Sequence, residues 1–158
     1  MIAIGFPIVG QEVDIINGKY DNKLETLGQW IKNISPRPIF LRIGYEFDGS
    51  DWNHYVPETY IPAYKYIKKF FDNMNIKNVA YVWQSKGYGT SVSSLQEWYP
   101  GDEYVDWCAY SHFGEPDKAM IDFARRKGKP VFIAEATPIL QDGNIYLCLL
   151  YTSPSPRD

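Results

Sequence analysis

Five short, nearly continuous apolar runs, spaced by amphipathic stretches, constrain this chain more than any other feature. They are residues 2–8 (IAIGFPI), 39–44 (IFLRIG), 79–83 (VAYVW), 105–110 (VDWCAY) and 131–134 (VFIA). Runs of this length and polarity predict strands covered on both faces. The stretches between them carry helical spacing. Residues 22–33 place Leu24, Leu27, Trp30 and Ile31 on one face, with Asp21 as the expected cap. Pro36 and Pro38 then break the chain. Residues 58–73 set Tyr60, Tyr64, Ile67, Phe70 and Phe71 on one face. Residues 92–98 support a turn or two of helix, and 117–127 a longer one closed by Gly128. Strands alternating with helices predict a parallel sheet. No GxGxxG and no GxxxxGK loop follows any strand, which removes the main support for a nucleotide-binding sheet. Strand starts at 39, 79, 105 and 131 are 40, 26 and 26 residues apart. That suits the roughly 31 residues per unit of an eight-unit barrel. The expected fold is α/β, a partial (β/α)8 barrel holding five consecutive strands. A doubly wound open sheet is the alternative.

Composition narrows the chemistry. The 16 Lys+Arg against 19 Asp+Glu give a net charge of −3, so there is no basic field for nucleic acid. At 45% hydrophobic and 22% charged the chain can bury a core. No stretch approaches the roughly 20 apolar residues of a membrane span. The 13 Tyr, 8 Phe and 5 Trp are the unusual feature. So many aromatics suit a core, and they also suit a surface that stacks on sugars. Only His54 and His112 are available as imidazole ligands, so neither a multi-histidine metal site nor a cofactor is expected.

The two ends read differently from the middle. Met1 leads at once into a strand-like run, with no basic region and no cleavage signature. Residues 148–158 (CLLYTSPSPRD) have no periodicity and match, residue for residue, the translation of a transposon-end sequencing adapter. The expected division is therefore a truncated barrel over 1–147 and a non-native tail over 148–158. Cys148 goes with the tail. Cys108 lies in an apolar run and is expected to be a buried structural thiol.

Barrel chemistry sits at the C-terminal ends of strands. The run IFLRIG leads into Tyr45, Glu46, Phe47 and Asp48, and VFIA leads into Glu135, Ala136 and Thr137. The two Glu are 89 residues apart, close to three βα units, so they can face each other across the barrel mouth. Facing carboxylates are what glycoside hydrolysis requires: an acid for the leaving oxygen, and a base or nucleophile. Asp48 and Asp51 are rival acids in a polar loop where turn and cap roles compete. Asp102 and Glu103 read as turn residues before a strand. Arg42 shares a face with Glu46 if a period of two continues through 42, 44 and 46. There it could steady a carboxylate or form a structural ion pair. Trp83 ends its strand at the same rim, as a sugar platform or as core. Trp52 and Tyr55 follow Glu46 in a loop and are read as sugar contacts. His112 lies near the rim. Trp30 and Trp107 are assigned to the core.

PIFLRIGYEFDGSDWNHY, NVAYVWQS, WYPGDEYVDW and KPVFIAEATP, in this order, resemble glycoside hydrolase family 26 or a close relative in the same barrel clan. WYPGDEYVDW and the Arg-x-x-x-Glu of Arg42 and Glu46 are the more specific pieces. The resemblance implies that Glu46 is the acid/base and Glu135 the nucleophile of a retaining enzyme. The strands present would then be three to seven of eight. It further implies an endo-acting, monomeric, secreted or periplasmic hydrolase of a plant or algal β-linked polysaccharide: mannan, xylan or glucan. The 158-residue piece alone would be inactive. Three positions depart from the mannanase branch. Tyr45 stands where His is usual, Glu135 is followed by Ala136-Thr137 in place of Phe-Gly, and the sixth strand would end in Ser111-His112-Phe113 where Tyr is commoner. With these departures Tyr45 becomes a candidate substrate contact and xylans or glucans stay open. A carbohydrate-binding barrel without catalysis would keep Trp52, Tyr55 and Trp83 but need neither Glu. A barrel with a metal or phosphate site is a third class, disfavoured by the scarcity of His.

Overall fold

The computed structural model describes residues 2–113, 118–136, 139–141 and 144–146. The elements are β1 (Ile2–Phe6), α1 (Glu12–Ile16), α2 (Asp21–Asn33), β2 (Ile39–Ile43), α3 (Pro57–Asn73), β3 (Val79–Ser85), α4 (Val92–Trp98), β4 (Trp107–His112), α5 (Lys118–Lys127) and β5 (Val131–Ala136). A short antiparallel pair, β6 (Ile139–Gln141) and β7 (Asn144–Tyr146), follows. The tail over 148–158, with Thr137 and Asp117, lies outside the described residues.

The five main strands are all parallel and lie in the order β1-β2-β3-β4-β5. Each strand pairs with its neighbour in sequence, as in a singly wound barrel. A doubly wound sheet would reverse direction partway, so that alternative is excluded. The sheet is also strongly curved. Phe40 on β2 stacks on Phe132 on β5 with ring centroids 5.5 Å apart. In a flat sheet, strands three steps apart would be separated by roughly 14 Å, at about 4.8 Å per step. Trp107 on β4 closes the same aromatic group, edge-on to Phe40 at 5.4 Å.

Alternation along the strands sorts two environments. On the convex side Ile39, Leu41 and Ile43 are fully buried, together with Trp83, Tyr81 and Cys108. Their partners come from the helices: Leu24 and Ile31 of α2, Tyr60, Tyr64, Ile67 and Phe71 of α3, Leu95 of α4, and Met120, Phe123 and Ala124 of α5. The helical faces expected from spacing are the ones buried, except that Leu27 and Phe70 are only half-covered and Trp30 is exposed. Burial pushes the Cys108 thiol up to about 12, the behaviour of an inert structural cysteine. The concave side carries Phe40, Arg42, Gln84, Trp107, Ser111, Phe132 and Glu135.

Several local expectations need correction. Asp21 is the first residue of α2 and not its cap; its carboxylate accepts from the Tyr66 hydroxyl of α3 at 2.8 Å. Trp30 is 43% exposed, because α2 turns Leu24 and Ile31 inward and leaves the indole at the edge of the apolar stripe. Trp107 is half-buried on the concave side, outside the helix-facing core. The one-turn helix α1 has no amphipathic stripe long enough to detect from spacing. Gly128 does close α5. It adopts φ +64°, the Lys129 N–H reaches back to Ala124 O at 2.9 Å and the Gly128 N–H to Arg125 O, which is a Schellman ending.

Among the described residues, β1 and β5 are the two edges of the five-stranded sheet. The β5 edge is apolar, and Val131 is 38% exposed. Bare apolar edges recruit other strands. The 158-residue chain expressed alone should therefore self-associate, with or without residues 148–158. Size-exclusion chromatography with light scattering checks this; a monodisperse monomer with a sharp thermal transition would show that these edges are protected.

Candidate active site

The C-terminal ends of β2 to β5 bring a polar cluster onto the concave side. β2 delivers Arg42. After Ile43 the chain leaves strand geometry: Gly44 takes φ +53° and Glu46 takes φ +54°. A Cβ at Gly44 would lie 2.6 Å from the Tyr60 ring, so both the backbone angle and the space there require glycine. The break also means that residues 42, 44 and 46 do not share a face by strand alternation.

A positive φ at a non-glycine residue costs on the order of 1–3 kcal/mol and persists only when its surroundings enforce it. The enforcement at Glu46 is visible. The Asn53 amide donates to the carbonyls of both Tyr45 and Glu46, at 3.1 and 2.8 Å. The Gly49 N–H returns to Glu46 O at 2.8 Å, and the Phe47 N–H reaches Gln84 O. The Phe47 ring is buried, stacked on Trp83 at 4.5 Å. Asp48 ties the same loop to β3, accepting from Ser85 Oγ at 2.6 Å and from the Lys86 N–H at 2.7 Å. Burial pushes the Asp48 carboxyl up, and these donors oppose that push. This rival acid is a loop anchor, and Asp51 is exposed.

Glu46 is held by two donors. Ser111 Oγ donates to Oε1 at 2.6 Å, and the Trp52 indole N–H donates to Oε2 at 2.9 Å. The Trp52 ring lies over Gly49, where a Cβ would sit 2.5 Å from the indole. One side of the ring remains open, at 42% exposure.

Glu135 is held from the other side. Arg42 Nη1 donates to its Oε1 at 2.7 Å, with the two side chains 16% and 37% exposed. The same Nη1 donates to Gln84 Oε1 at 2.9 Å, and Gln84 Nε2 donates to Ser111 Oγ at 3.0 Å. An unbroken chain of contacts thus runs Glu135, Arg42, Gln84, Ser111, Glu46. A register shift in the β4–β5 ladder contributes. Tyr110 pairs with Ile133 but Ser111 pairs with Glu135, so the bulge brings Glu135 opposite Ser111. On β1, Gly5 pairs with Arg42, and a Cβ there would come within 3.2 Å of both Arg42 Nη2 and Tyr45. Its missing side chain leaves room for the guanidinium and for the Tyr45 ring that stacks beneath it at 5.2 Å.

Of the residues singled out from sequence, Arg42, Tyr45, Glu46, Trp52 and Glu135 meet here. His112 ends β4 half-buried and edge-on to Tyr110, with which it shares the helix-facing side of the strand, so it is not brought into this cluster. Trp83 and Tyr55 do not present a sugar-stacking surface. Trp83 is fully buried on the helix side between Phe47, Tyr99 and Phe123. By alternation its neighbour Gln84 takes the concave position. Tyr55 is 7% exposed and its hydroxyl accepts the Ile8 N–H at 3.1 Å. Burial pushes that phenol up to about 12. Both residues support the loop from beneath. Gln84 and Ser111 were missed. The available signal was a polar residue in the inward register at the end of an otherwise apolar strand. Among the described residues no group of three or more His, Cys, Asp or Glu is placed to hold a metal.

Comparison with known proteins identifies the family. The model of glycosyl hydrolase family 26 matches residues 8–144. A beta-1,3-xylanase of a Vibrio species is 30% identical over 145 residues, covering 87% of this chain and 31% of that protein. A beta-1,3-xylanase of an Alcaligenes species is likewise 30% identical over 145 residues, 87% of this chain and 30% of its own length. The chain thus spans about a third of the curated relatives it matches. Among solved structures, the family 26 domain of an endo-beta-mannanase/endo-beta-glucanase from Prevotella bryantii superposes with a TM-score of 0.65 at 19% identity, over 80% of this chain and 44% of that one. A family 26 protein from a Muricauda species gives 0.64 at 23% identity, over 76% and 38%. These structures share the fold: the five parallel strands correspond to part of a family 26 barrel. Family model, relatives and fold converge, and the chain belongs to glycosyl hydrolase family 26.

Proposed function

We propose that this chain is the catalytic part of a retaining glycoside hydrolase, with Glu46 as acid/base and Glu135 as nucleophile. The observation that carries the reading is the pairing of two carboxylates at the ends of β2 and β5, each fixed by its own donors and linked through one buried polar chain. In this reading the strands are the third to seventh of eight.

Arg42 occupies Oε1 of Glu135 and sets its rotamer, so the carboxylate is aimed before substrate arrives. Attack of the other oxygen on the anomeric carbon forms a glycosyl-enzyme as the glycosidic bond breaks. Glu46 gives its proton to the departing oxygen. It then takes a proton from the water that hydrolyses the intermediate. Trp52 stands at the rim beside Glu46 with an open ring face, which suits stacking of a sugar. Tyr45 lines the floor under Arg42.

For the substrate we favour a β-linked xylan, β-1,3-linked first. The two curated relatives at 30% identity are both named beta-1,3-xylanases. The mannanase structures are under 25% identical and speak for the fold. Tyr45 and Ala136, where the mannanase branch has other residues, agree with this preference.

Four outcomes are expected of the full-length protein. In an assay panel, β-1,3-xylan should be cleaved faster than β-1,4-xylan, mannan and β-glucan; preference for mannan would overturn the substrate reading. A crystal structure should place the carboxyls of Glu46 and Glu135 roughly 5–5.5 Å apart, the retaining distance, whereas roughly 6.5–9.5 Å would indicate inversion. Glu135→Ala should abolish turnover of every substrate. Glu46→Ala should lose most on poor leaving groups, and azide should partly restore turnover of activated aryl glycosides. Wild-type rates in either variant would remove that residue from its role.

A further inference from the structure

Gln84 is fully buried and Ser111 is 2% exposed, yet both side chains are polar and both lie between the two carboxylates. Their hydrogen-bond polarity can be worked out from donor counts alone. A guanidinium can only donate. The Gln84 atom 2.9 Å from Arg42 Nη1 must therefore be its carbonyl oxygen. The amide nitrogen then faces Ser111 Oγ at 3.0 Å and donates to it. Ser111 has one hydroxyl hydrogen. With the lone pair toward Gln84 taken, that hydrogen goes to the remaining partner, Glu46 Oε1, at 2.6 Å. Every donor in the chain is committed in one direction, and the origin of that direction is Arg42.

We infer that Ser111 and Gln84 are positioning residues that determine which oxygen of Glu46 carries the catalytic proton. Both oxygens accept one hydrogen bond, but the bond from Ser111 to Oε1 is the shorter and more buried of the two, 2.6 against 2.9 Å, so negative charge is held on Oε1 and the proton delivered to the leaving group resides on Oε2. That oxygen lies toward the rim, beside the Trp52 indole N–H, which faces its other lone pair. In the first step the Oε2–H bond breaks, the proton passes to the glycosidic oxygen, and Glu46 becomes a carboxylate as the sugar is transferred to Glu135. In the second step water supplies a proton to Oε2 and its oxygen to the anomeric carbon, restoring both carboxyl groups. Ser111 keeps its proton throughout. This inference rests on the acid/base reading of Glu46.

The test uses the full-length protein and a series of aryl glycosides of graded leaving-group ability, with Glu46→Ala as the reference. Ser111→Ala removes the donor to Oε1. Gln84→Glu keeps the shape and the acceptor for Arg42 but removes the donor to Ser111, whose hydrogen then turns away from Glu46 toward the new carboxylate. Both variants should lose about tenfold to a hundredfold in kcat on poor leaving groups and far less on the best ones, with KM little changed. Far-ultraviolet circular dichroism and thermal unfolding establish which variants are folded, and either folded variant suffices. A loss equal across all leaving groups, or no loss, in a folded variant would overturn the inference while leaving Glu46 in its role. If Glu46→Ala itself shows no dependence on the leaving group, the acid/base reading falls and this inference falls with it.

Discussion

Arg42 donates from a single nitrogen to Gln84 on β3 and to Glu135 on β5, and the rest of the concave face is arranged around that cation. A charge inside a half-closed sheet needs acceptors, because an unpaired buried ion is far more costly than an unpaired hydroxyl. The fold answers with sheet curvature, which brings β5 within reach of β2. It answers also with Gly5, whose absent side chain leaves room for the guanidinium, and with Tyr45, whose ring lies beneath it. Glu135 is 37% exposed, so the pair is screened on its open side and its worth lies more in orientation than in stability. Without Arg42 the buried Gln84 carbonyl would also lose its donor, and leaving such a group unpaired costs about 1–3 kcal/mol.

Strand alternation gives adjacent residues opposite duties at one strand end. Trp83 points to the helices and carries Phe47 on its ring; Gln84 points to the cleft and carries the polar chain. The two are consecutive, yet one determines the loop and the other the carboxylates. Because Phe47 immediately follows Glu46, stacking at 4.5 Å in the core is transmitted by one peptide unit to a strained residue in the cleft. Tyr55 does the same from the far end of the loop by capturing the Ile8 N–H. The aromatic abundance of this chain is therefore largely structural: most of the aromatic pairs lie beneath the site, and Trp52 stands open above it.

The strands, their parallel order and both carboxylates were legible in the sequence, because each rests on a local pattern: an apolar run, a helical stripe, a Glu at a run's end. Two kinds of feature were not. Facing direction at a strand end depends on register, and the run VAYVW stops one residue before β3 shows its inward polar group; the pattern therefore leaves Trp83 open between cleft and core and gives no sign of Gln84. The partner of Arg42 was the other. Counting 42, 44, 46 presumes an unbroken strand, and Gly44 at φ +53° ends it. The partner is Glu135, 93 residues away, brought close by curvature and by the β4–β5 register shift, neither of which has a local signature.

That register shift determines which residue of β5 faces the concave side. A bulge adds one residue to β5 without moving the rest of the ladder, so Glu135 rather than Ala134 comes opposite Ser111. Regular pairing would turn the carboxylate by one position, toward the helix layer, where Arg42 could not reach it. The placement of Glu135 thus depends on backbone geometry in β5 and on a cation in β2, and on little else from the loops that follow. The orientation of Glu135 resides in a bulge, a glycine and one arginine, apart from the side chains at the rim.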